Sequence, residues 1–534
     1  MSRPHNILLL MTDQEMHHRW LPDLTLSGKG ELLAKGRGFR RYHVHTTPCS
    51  PSRSTLYFGQ HTQATGMVAN VGMPPFPQLR PSLRSIGHVL RDRGYVTAYK
   101  GKWHLGGIGD TTDLIYGPYP NTSQDLEPFG FSDYNFDGDP HGTTWTGFRS
   151  DRQTAGDAIA WLGRAPSDKP WMLAVNFVNP HDVMFYWSAD GQKASRTQAD
   201  FLGPLSREPG IAPYDQAWRE PLPTSLADTL EDKPWAVRSY ARLVEQVYGH
   251  VPRDDEAAWH RLRSYYFNCI RDVDLQATAV LRALERLGLD DKTVVIYTSD
   301  HGEMAGAHGM RQKGPMIFRE NVNVPLIVRH PDVVGGTETD ALAGPLDLAR
   351  TIVSIAGVPE DEEPQLKGVD LSPVIEDAAA RTERDEIGTL LNYSVTMYID
   401  PKLALRLIGT GRELTPRLFR KELAKHPLTG RDPLARRGFF RGIVHDRYKF
   451  ARYFAPKDHH VPRDFDDLVA RNDLELYDTH EDPDEMCNLA ADPGAHRELV
   501  WSLASKTADL VAREVGADVG AGLLGPGFLY QRGP

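Results

Sequence analysis

The stretch NILLLMTDQ, residues 6–14, sets the expectation for the fold because it joins a buried strand directly to polar side chains. It contains five large apolar residues in succession, a run that is typical of a β-strand covered on both faces. Asp13 and Gln14 follow this run at once. Because open α/β sheets bind ligands outside the carboxyl ends of their strands, we expect these two side chains to lie at a functional edge.

Three later apolar runs end in the same way, and helical segments separate them. The spacing of apolar residues over 257–288 predicts a long helix directly before one of these strands. Strands that alternate with helices predict an α/β fold, with a large mixed, mostly parallel sheet flanked by helices. The polar ends of the three strands would then join Asp13 and Gln14 at one edge: Lys102-Trp103-His104, Asn179-Pro180-His181 and Asp300-His301-Gly302.

The chain is expected to form two domains, because 534 residues exceed what one simple core usually holds. Residues 1–375 are predicted to form the α/β domain, with an excursion at 182–256 that is either a wall of the pocket or a peripheral decoration. The stretch 358–373 is interpreted as a linker. Residues 376–534 are predicted to form a smaller α+β domain, in which HDRY turns a hairpin and a helix ends near Val515.

The amino-acid composition limits the classes of binding partner and the cellular compartment that we expect. A net charge of −10 with intermixed charges argues against a nucleic-acid partner and still allows a local cationic pocket for an anion. Three widely spaced cysteines form no disulfide framework, which favours a reducing, cytoplasmic location. No apolar run approaches the ~20 residues of a membrane span, so no membrane partner is expected. The apolar tail GPGFLYQRGP, residues 525–534, predicts a homo-oligomer in which it docks on a neighbouring subunit, unless it folds back on its own chain.

A second stretch, TTPCSPSRST at residues 46–55, places a cysteine where a helix is expected to begin. Pro51 suits the first turn of a helix, which puts Cys49 at its N-terminus, where backbone N–H groups favour negative charge. Arg53 lies one turn further along the same side. The pattern leaves three interpretations open: a buried structural cysteine, a reactive thiolate, or a cradle for phosphate or sulfate.

Four polar residues at the strand ends form a candidate set for a divalent cation. Asp13, Gln14 and Asp300 supply hard oxygen atoms, and His301 supplies one imidazole. Each of them alone is also explained as an ordinary turn residue after a strand. The metal interpretation therefore requires the two segments to meet in space.

Motifs in a fixed order make the chain resemble a known family. CSPSR at 49–53 is followed by GYVTAYKGKWHLGG at 94–107, by a block that begins SDHGE at 299, and by LELYDTHEDPDEMCNLA at 474–490. These motifs resemble those of the type I, formylglycine-dependent sulfatases of the alkaline phosphatase superfamily, and the chain is similar to arylsulfatases and choline-sulfatases. The resemblance implies an alkaline phosphatase-like sheet and a sulfuric ester hydrolase.

The resemblance implies that a formylglycine-generating maturation enzyme oxidises Cys49 to an aldehyde. The hydrated aldehyde of formylglycine then attacks the sulfur of an aryl or small alkyl sulfate monoester and forms a covalent sulfo-enzyme. It further implies one divalent cation, Ca²⁺ ahead of Mg²⁺ or Mn²⁺, that lowers the pKa of the attacking hydroxyl. The implied ligands of this cation are Asp13, Gln14, residue 49, Asp300 and His301.

The same resemblance implies roles for the other polar residues of the motifs. Arg53, Lys102 and Lys313 would neutralise the oxygens of the sulfate group. His181 and Lys313 would assist the departure of the alcohol. His104 would accept a proton from the second hydroxyl of the hydrate, so that sulfate leaves and the aldehyde returns.

The sequence leaves alternatives open for the reaction and for the roles of several residues. Asp13-Gln14 stands where many family members have two aspartates, and choline-sulfatases and phosphonate monoester hydrolases have a similar Asp-Gln pair. A phosphonate monoester or phosphodiester hydrolase is one alternative, which Lys102 and His104 oppose because those enzymes have hydroxyl side chains there. A non-catalytic anion-binding scaffold is the other. Some positions either contact ligands or have only a role in a loop, in packing or at the surface: Asn70, His181, Trp187, Trp218, Trp235, His308 and Lys313.

Overall fold

The structure is a computed structural model that describes residues 4–71, 79–106, 124–134, 139–140, 142–196, 203–394, 435–516 and 518. Within these ranges, the larger of two β-sheets has seven strands. In chain order they are β1 (Asn6–Asp13), β2 (Arg37–Tyr42), β3 (Val96–Gly101), β4 (Trp171–Pro180), β5 (Thr293–Ser299), β6 (Leu326–Arg329) and β7 (Thr337–Ala343). Their order across the sheet is β3-β4-β1-β5-β6-β2-β7.

Strand β1 lies inside this sheet and pairs in parallel with both β4 and β5. Leu9 is in register with Ala174 on one side and with Ile296 on the other. Strand β6 runs antiparallel to its neighbours β5 and β2, so the sheet is mixed but mostly parallel. The predicted α/β fold is confirmed.

Helices cover both faces of the larger sheet. The helices of this part of the chain are α1 (Ser27–Lys35), α2 (Cys49–Phe58), α3 (Thr62–Thr65), α4 (Ile86–Asp92), α5 (Thr146–Leu162), α6 (Trp235–Tyr248), α7 (Glu256–Arg286), α8 (Arg319–Val322), α9 (Pro345–Ile355) and α10 (Ser372–Glu376). Helix α7 confirms the long helix predicted over 257–288. Among the described residues, no helix combines the length and apolar character needed to cross a membrane.

Alternate residues of β1 contact two different helical layers, because successive side chains of a strand point to opposite faces. Ile7, Leu9 and Met11 pack in the cluster that includes residues of α2, α4 and α9. Leu8 and Leu10 pack in the cluster that includes residues of α1, α5 and α7. The continuous apolar run of the sequence is therefore explained by a strand with helices on both sides.

The second sheet is antiparallel and lies in the C-terminal part of the chain. Its strands are β8 (Thr389–Tyr393), β9 (Phe439–His445), β10 (Tyr448–Phe454) and β11 (Asp473–Asp478), and the helices beside it are α11 (Glu383–Ile387), α12 (Phe465–Arg471) and α13 (Arg497–Glu514). His445 pairs with Tyr448 across a tight turn, which confirms the hairpin predicted at HDRY. The domain boundary at 375 stays a prediction, and the tail at 525–534 lies outside the described residues.

The stretch 358–373 differs from the expected linker. Its leucines Leu366 and Leu371 are buried in the apolar cluster of the larger sheet. The Arg350 guanidinium donates hydrogen bonds to the carbonyl oxygens of Glu363 (2.8 Å) and Leu366 (3.2 Å). The acidic, proline-containing composition suggested a linker, but widely spaced apolar residues anchor the segment to the core.

The last turn of α13 is tied to the rest of the chain by a buried ionic cluster. Glu514 is 5% exposed, and one of its oxygens lies 2.6 Å from His61 Nε2. Its other oxygen accepts from Arg384, whose Nε also donates to Asp347 at 2.8 Å. Burial alone would raise the pKa of the Glu514 carboxyl, but Arg384 and His61 outweigh it and lower the pKa to about 2.

We expect Glu514→Gln to lower the free energy of unfolding by about 3 kcal/mol at neutral pH, because the folded state depresses this carboxyl's pKa to about 2 from an ordinary value of 4.5. The depressed pKa belongs to the folded state, so the stabilisation is complete above the unfolded pKa and is lost as pH falls through 4.5 towards 2. Urea unfolding at neutral and acidic pH measures the difference. The control is Glu498→Gln, at an exposed position of the same helix. If Glu514→Gln were still less stable than the unaltered chain at acidic pH, the prediction would be wrong.

Candidate active site

Four neighbouring strands deliver polar residues to one edge of the larger sheet. Asp13 is the last residue of β1, Lys102 and His181 directly follow β3 and β4, and Asp300 directly follows β5. These four strands are adjacent and parallel, so their carboxyl ends meet. All four side chains are buried, with at most 3% exposed. The predicted convergence of the strand ends is observed.

Cys49 is the first residue of α2, as the sequence predicted, and it is fully buried. Its Sγ lies 3.1 Å from His301 Nε2 and 3.8 Å from Asp13 Oδ1. Burial and the Asp13 carboxylate oppose ionisation of the thiol, but Lys102 and Lys313 outweigh them and lower its pKa. The side chain of residue 49 therefore projects into a group of charged and polar atoms and not into an apolar core.

The side chains around Cys49 fit a divalent cation. One ligand atom each from Asp13, Cys49, Asp300 and His301 can be chosen so that all lie within 4.8 Å of one another. The Nδ1 atom of His301 lies 3.1 Å from the carbonyl oxygen of Gly302, which leaves Nε2 directed at the group. Carboxylate oxygens with one imidazole nitrogen are a donor set for divalent metals, and a hydrogen bond that fixes the other ring nitrogen is usual for a histidine ligand.

Opposing charges set the ionisation of the two carboxyl groups. Burial would raise the pKa of Asp13, but Lys102, His181 and Arg53 lower it more, so this pKa lies well below its usual range. Burial and the negative charge of Asp13 raise the pKa of Asp300. Two carboxyl groups that share a buried site in this way favour the binding of a further positive charge between them.

Gln14 lies beside this group with its backbone in the left-handed region, at φ 72°. Its backbone N–H donates to Asp300 Oδ1 at 3.2 Å. Its side-chain oxygen accepts a hydrogen bond from Lys313 Nζ. The same Nζ lies 3.1 Å from Met184 Sδ. The structure therefore brings Gln14 and Lys313, which are 299 positions apart, into direct contact.

Arg53, the fifth residue of α2, holds the carboxylates of Asp13 and Asp300 in place. It is fully buried, and its Nε and Nη2 atoms donate to Asp300 Oδ2 (2.9 Å) and Asp13 Oδ2 (3.2 Å). Its Nη1 donates to the carbonyl oxygen of Lys102 (2.9 Å) and to Asn176 Oδ1 (3.3 Å). The Lys102 ammonium makes an ion pair with the same Asp13 oxygen. The planar fork of arginine matches this set of acceptors, which a lysine could not do.

His181 is held in a narrow space near the ammonium groups of Lys102 and Lys313. Burial, followed by repulsion from Lys313 and Lys102, lowers the pKa of its imidazole well below the usual value. Gly142 packs against the ring: a β-carbon there would come within 2.4 Å of His181 Nδ1. The ring is therefore neutral at neutral pH and its position depends on the absence of a side chain at 142.

His104 is positioned by its backbone. The N–H groups of Trp103 and His104 donate to the Asp139 carboxylate at 3.0 and 2.7 Å, and the His104 carbonyl oxygen accepts from Ser50 Oγ at 2.5 Å. His104 has a φ of 55°, a strained conformation for a residue with a side chain. The loop after β3 is thus clamped both to Asp139 and to the start of α2.

Sequence reasoning missed three residues that support the site. Asn176 accepts from Arg53 and from the Tyr57 hydroxyl (2.8 Å), and an amide within an otherwise apolar strand was the signal for it. Glu303 contacts Gln14, and its place in the SDHGE motif marked the segment but not the contact. Asp139 had no signal, because nothing in the local sequence pairs it with the loop after β3.

Asn70 and His308, whose roles the sequence left open, both make hydrogen bonds within the protein. Asn70 Oδ1 accepts from the backbone N–H of Ser50 at 3.0 Å, so Asn70 supports the first turn of α2. His308 Nδ1 lies 2.7 Å from Asp228 Oδ2, and its ring stacks on Phe318 at 3.7 Å between centroids. The loop hydrogen bond, one of the two alternatives for His308, is therefore present.

The excursion at 182–256 contacts the site through Lys313. Its Met184 sulfur lies beside the Lys313 ammonium, and the Tyr240 hydroxyl donates to the Lys313 carbonyl oxygen. Trp218 lines a cavity of about 960 Å³ between the excursion and α7. The other two tryptophans with open alternatives, Trp187 and Trp235, pack at the border of an apolar cluster.

Known proteins resemble the chain in sequence and in fold. It is 27% identical over 394 residues to the uncharacterised sulfatase YidJ of Escherichia coli, and the aligned region covers 68% of this chain and 69% of that protein. The fold resembles a crystal structure of a putative sulfatase from Bacteroides thetaiotaomicron (TM-score 0.68, 20% identity, 100% and 99% of the two chains). It also resembles the phosphonate monoester hydrolase of Agrobacterium radiobacter (TM-score 0.64, 21% identity, 96% of both chains).

The two structural likenesses establish the shared fold and do not by themselves separate sulfate from phosphonate chemistry. The family model Sulfatase matches residues 5–358, which include every strand of the larger sheet and every residue placed at its polar edge. This match spans well over half of the chain. The chain therefore belongs to the sulfatase family of sulfuric ester hydrolases.

Proposed function

We propose that this sulfatase hydrolyses aryl or small alkyl sulfate monoesters through a formylglycine formed from Cys49. The observation that carries the proposal is the position of Cys49 Sγ, at the first residue of α2 and among Asp13, Asp300 and His301. An aldehyde at this position would be hydrated to a diol whose hydroxyl groups point at the same ligand atoms. A thiol that served only packing would have no need of charged neighbours.

The residues that would hold a divalent cation are Asp13, Gln14, Asp300, His301 and the side chain at 49. The cation, when bound, supplies the positive charge that lowers the pKa of a hydroxyl group and makes it a nucleophile at neutral pH. Arg53 forms ion pairs with both Asp13 and Asp300 and orients their carboxyl groups for this task. Lys102 and Lys313 are placed to neutralise the oxygens of the sulfate group, because both ammonium groups lie beside these ligands.

His181 and Lys313 are proposed to assist the departing alcohol. In the free protein, repulsion from Lys313 and Lys102 contributes to keeping the His181 imidazole neutral. A bound sulfate anion offsets that repulsion and favours protonation, so the proton becomes available when substrate is in place. His104 is proposed to accept the proton of the second hydroxyl of the diol when sulfate is expelled.

We expect Gly142→Ala to lower kcat/KM for an aryl sulfate by on the order of 10²-fold, because the new β-carbon would displace the His181 ring and a misplacement of about 1 Å has this effect. Steady-state kinetics measure the loss. Gly357→Ala is the matched control: Gly357 also has a positive φ (77°, against 107° at Gly142), but a β-carbon there meets open space, so activity should be unchanged. Equal kcat/KM in Gly142→Ala and the unaltered chain would contradict the proposed role of His181.

The alternative reaction, hydrolysis of phosphonate monoesters or phosphodiesters, is compatible with the Asp13-Gln14 pair and with the fold shared with a phosphonate monoester hydrolase. Lys102 and His104 favour sulfate. A panel of aryl and alkyl sulfates, a phosphonate monoester and a phosphodiester of the same phenol decides between them. We expect the highest kcat/KM for a sulfate ester; faster turnover of the phosphodiester would overturn the assignment, and turnover of no ester would favour a non-catalytic anion-binding scaffold.

The covalent part of the proposal is tested by mass spectrometry. The protein is produced together with a formylglycine-generating maturation enzyme and digested, and the peptide that contains residue 49 is analysed. We expect the mass of the aldehyde form and its reaction with a hydrazide probe. If this peptide carries only unmodified cysteine, the formylglycine mechanism does not apply to this chain.

A further inference from the structure

The amide of Gln14 has two ends of nearly equal shape and opposite hydrogen-bonding character. Its Nε2 donates to Glu303 Oε2, and its Oε1 accepts from Lys313 Nζ. The side chain is fully buried, so water cannot replace either partner. Since only the oxygen can ligate a cation or accept from an ammonium group, the neighbours decide which end faces the site.

Glu303 is itself held in one orientation. Its Oε1 accepts from the backbone N–H groups of Gln312 (2.8 Å) and Ala305 (3.0 Å). The side chain is buried, with 1% exposed, and Oε2 is the oxygen that faces Gln14. A carboxylate oxygen only accepts, so it selects the NH₂ end of the Gln14 amide.

We propose that Glu303 is a positioning residue that fixes the Gln14 amide with its oxygen towards Lys313 and the cation site. This inference rests on the proposed function, in which Gln14 is a ligand of the cation. It explains how the chain uses an amide where a second aspartate is common in the family. An aspartate offers oxygen from both ends, whereas an amide needs a partner that prevents it from turning over.

The substitution Glu303→Gln reverses this selection. The new side-chain oxygen keeps the backbone donors at Gln312 and Ala305, and its NH₂ group then faces Gln14. Two NH₂ groups cannot hydrogen-bond to each other, so the Gln14 amide turns over. Its nitrogen then faces Lys313 Nζ, another donor, and the cation site loses an oxygen.

A reversed pair restores the contact. Gln14→Glu alone places two carboxylates against each other, which weakens the site. Combined with Glu303→Gln, the new carboxylate at 14 accepts from the new NH₂ group at 303 and still presents an oxygen to Lys313. The double variant is therefore expected to recover what each single variant loses, which a merely structural role of Glu303 would not produce.

Ca²⁺ titration by calorimetry tests the proposal. The whole chain, produced with the maturation enzyme and stripped with a chelator, is compared with the two single variants and the double variant. We expect Glu303→Gln to raise the Ca²⁺ dissociation constant about 10- to 100-fold, the usual effect of removing a partner of a metal ligand, and the double variant to recover most of this loss. Thermal unfolding with and without Ca²⁺ should give the same ranking.

The control is Glu475→Gln, a buried carboxylate in the smaller sheet whose oxygens accept from Tyr477 (2.6 Å) and Tyr453 (2.7 Å). It disturbs a buried hydrogen-bonded acid without contact to the site, so Ca²⁺ affinity should be unchanged. Unchanged affinity in Glu303→Gln, or no recovery in the double variant, overturns the inference and leaves the proposed function standing. An unaltered chain that binds none of Ca²⁺, Mg²⁺ and Mn²⁺ overturns both.

Discussion

Cys49→Ala is expected to lower kcat for an aryl sulfate by on the order of 10⁴-fold or more, because it removes the thiol that the proposed maturation would convert and with it the proposed nucleophile. The substitution deletes one sulfur and leaves the side chains of Asp13, Asp300, Arg53 and Lys102 in place. Saturating steady-state assays with a chromogenic sulfate ester measure the loss, and circular dichroism verifies the fold.

Cys487→Ser is the matched control for that experiment. Cys487 is exposed and lies outside the site, so its loss should leave kcat and KM unchanged. Full activity in Cys49→Ala would show that residue 49 is not the nucleophile and that the charged group around it serves another reaction. The buried Cys269 is a poorer control, because its substitution alters the packing of α7.

Arg53→Ala is expected to lower the free energy of unfolding by about 3–5 kcal/mol and to remove activity. Arg53 is fully buried and forms ion pairs with Asp13 and Asp300. Its truncation leaves these buried carboxyl groups without a guanidinium partner, and the penalty for an unpaired buried charge is large. Urea unfolding in the presence of a chelator measures the stability change separately from any effect of bound cation.

Two companion variants make that result interpretable. Arg53→Lys keeps the charge but cannot donate to four acceptors at once, so we expect an intermediate loss of stability. Arg282→Ala removes an exposed arginine of α7 whose ion pairs with Glu31 and Glu285 are screened by solvent, so stability should be almost unchanged. If Arg53→Ala proved as stable as Arg282→Ala, the ion pairs of Arg53 would not contribute to the fold.

The sheet was predictable to the extent that its signals are local. The apolar run of β1, the period of α7 and the turn of the β9–β10 hairpin are properties of a few successive residues, and each lies where the pattern indicated. The antiparallel direction of β6 and the burial of 358–373 were not predictable. Both depend on contacts with residues far away in the chain, which the local pattern does not encode.

The sequence by itself determined which chemical groups the site contains: a cysteine at a helix start, polar residues at the ends of buried strands, and their order along the chain. Only the tertiary structure decided how they are paired. Glu303 orients an amide 289 positions away, and Asp139 holds the backbone of His104 35 positions away. Hydrogen bonds of this kind depend on distances of about 3 Å between groups that only the folded chain brings together.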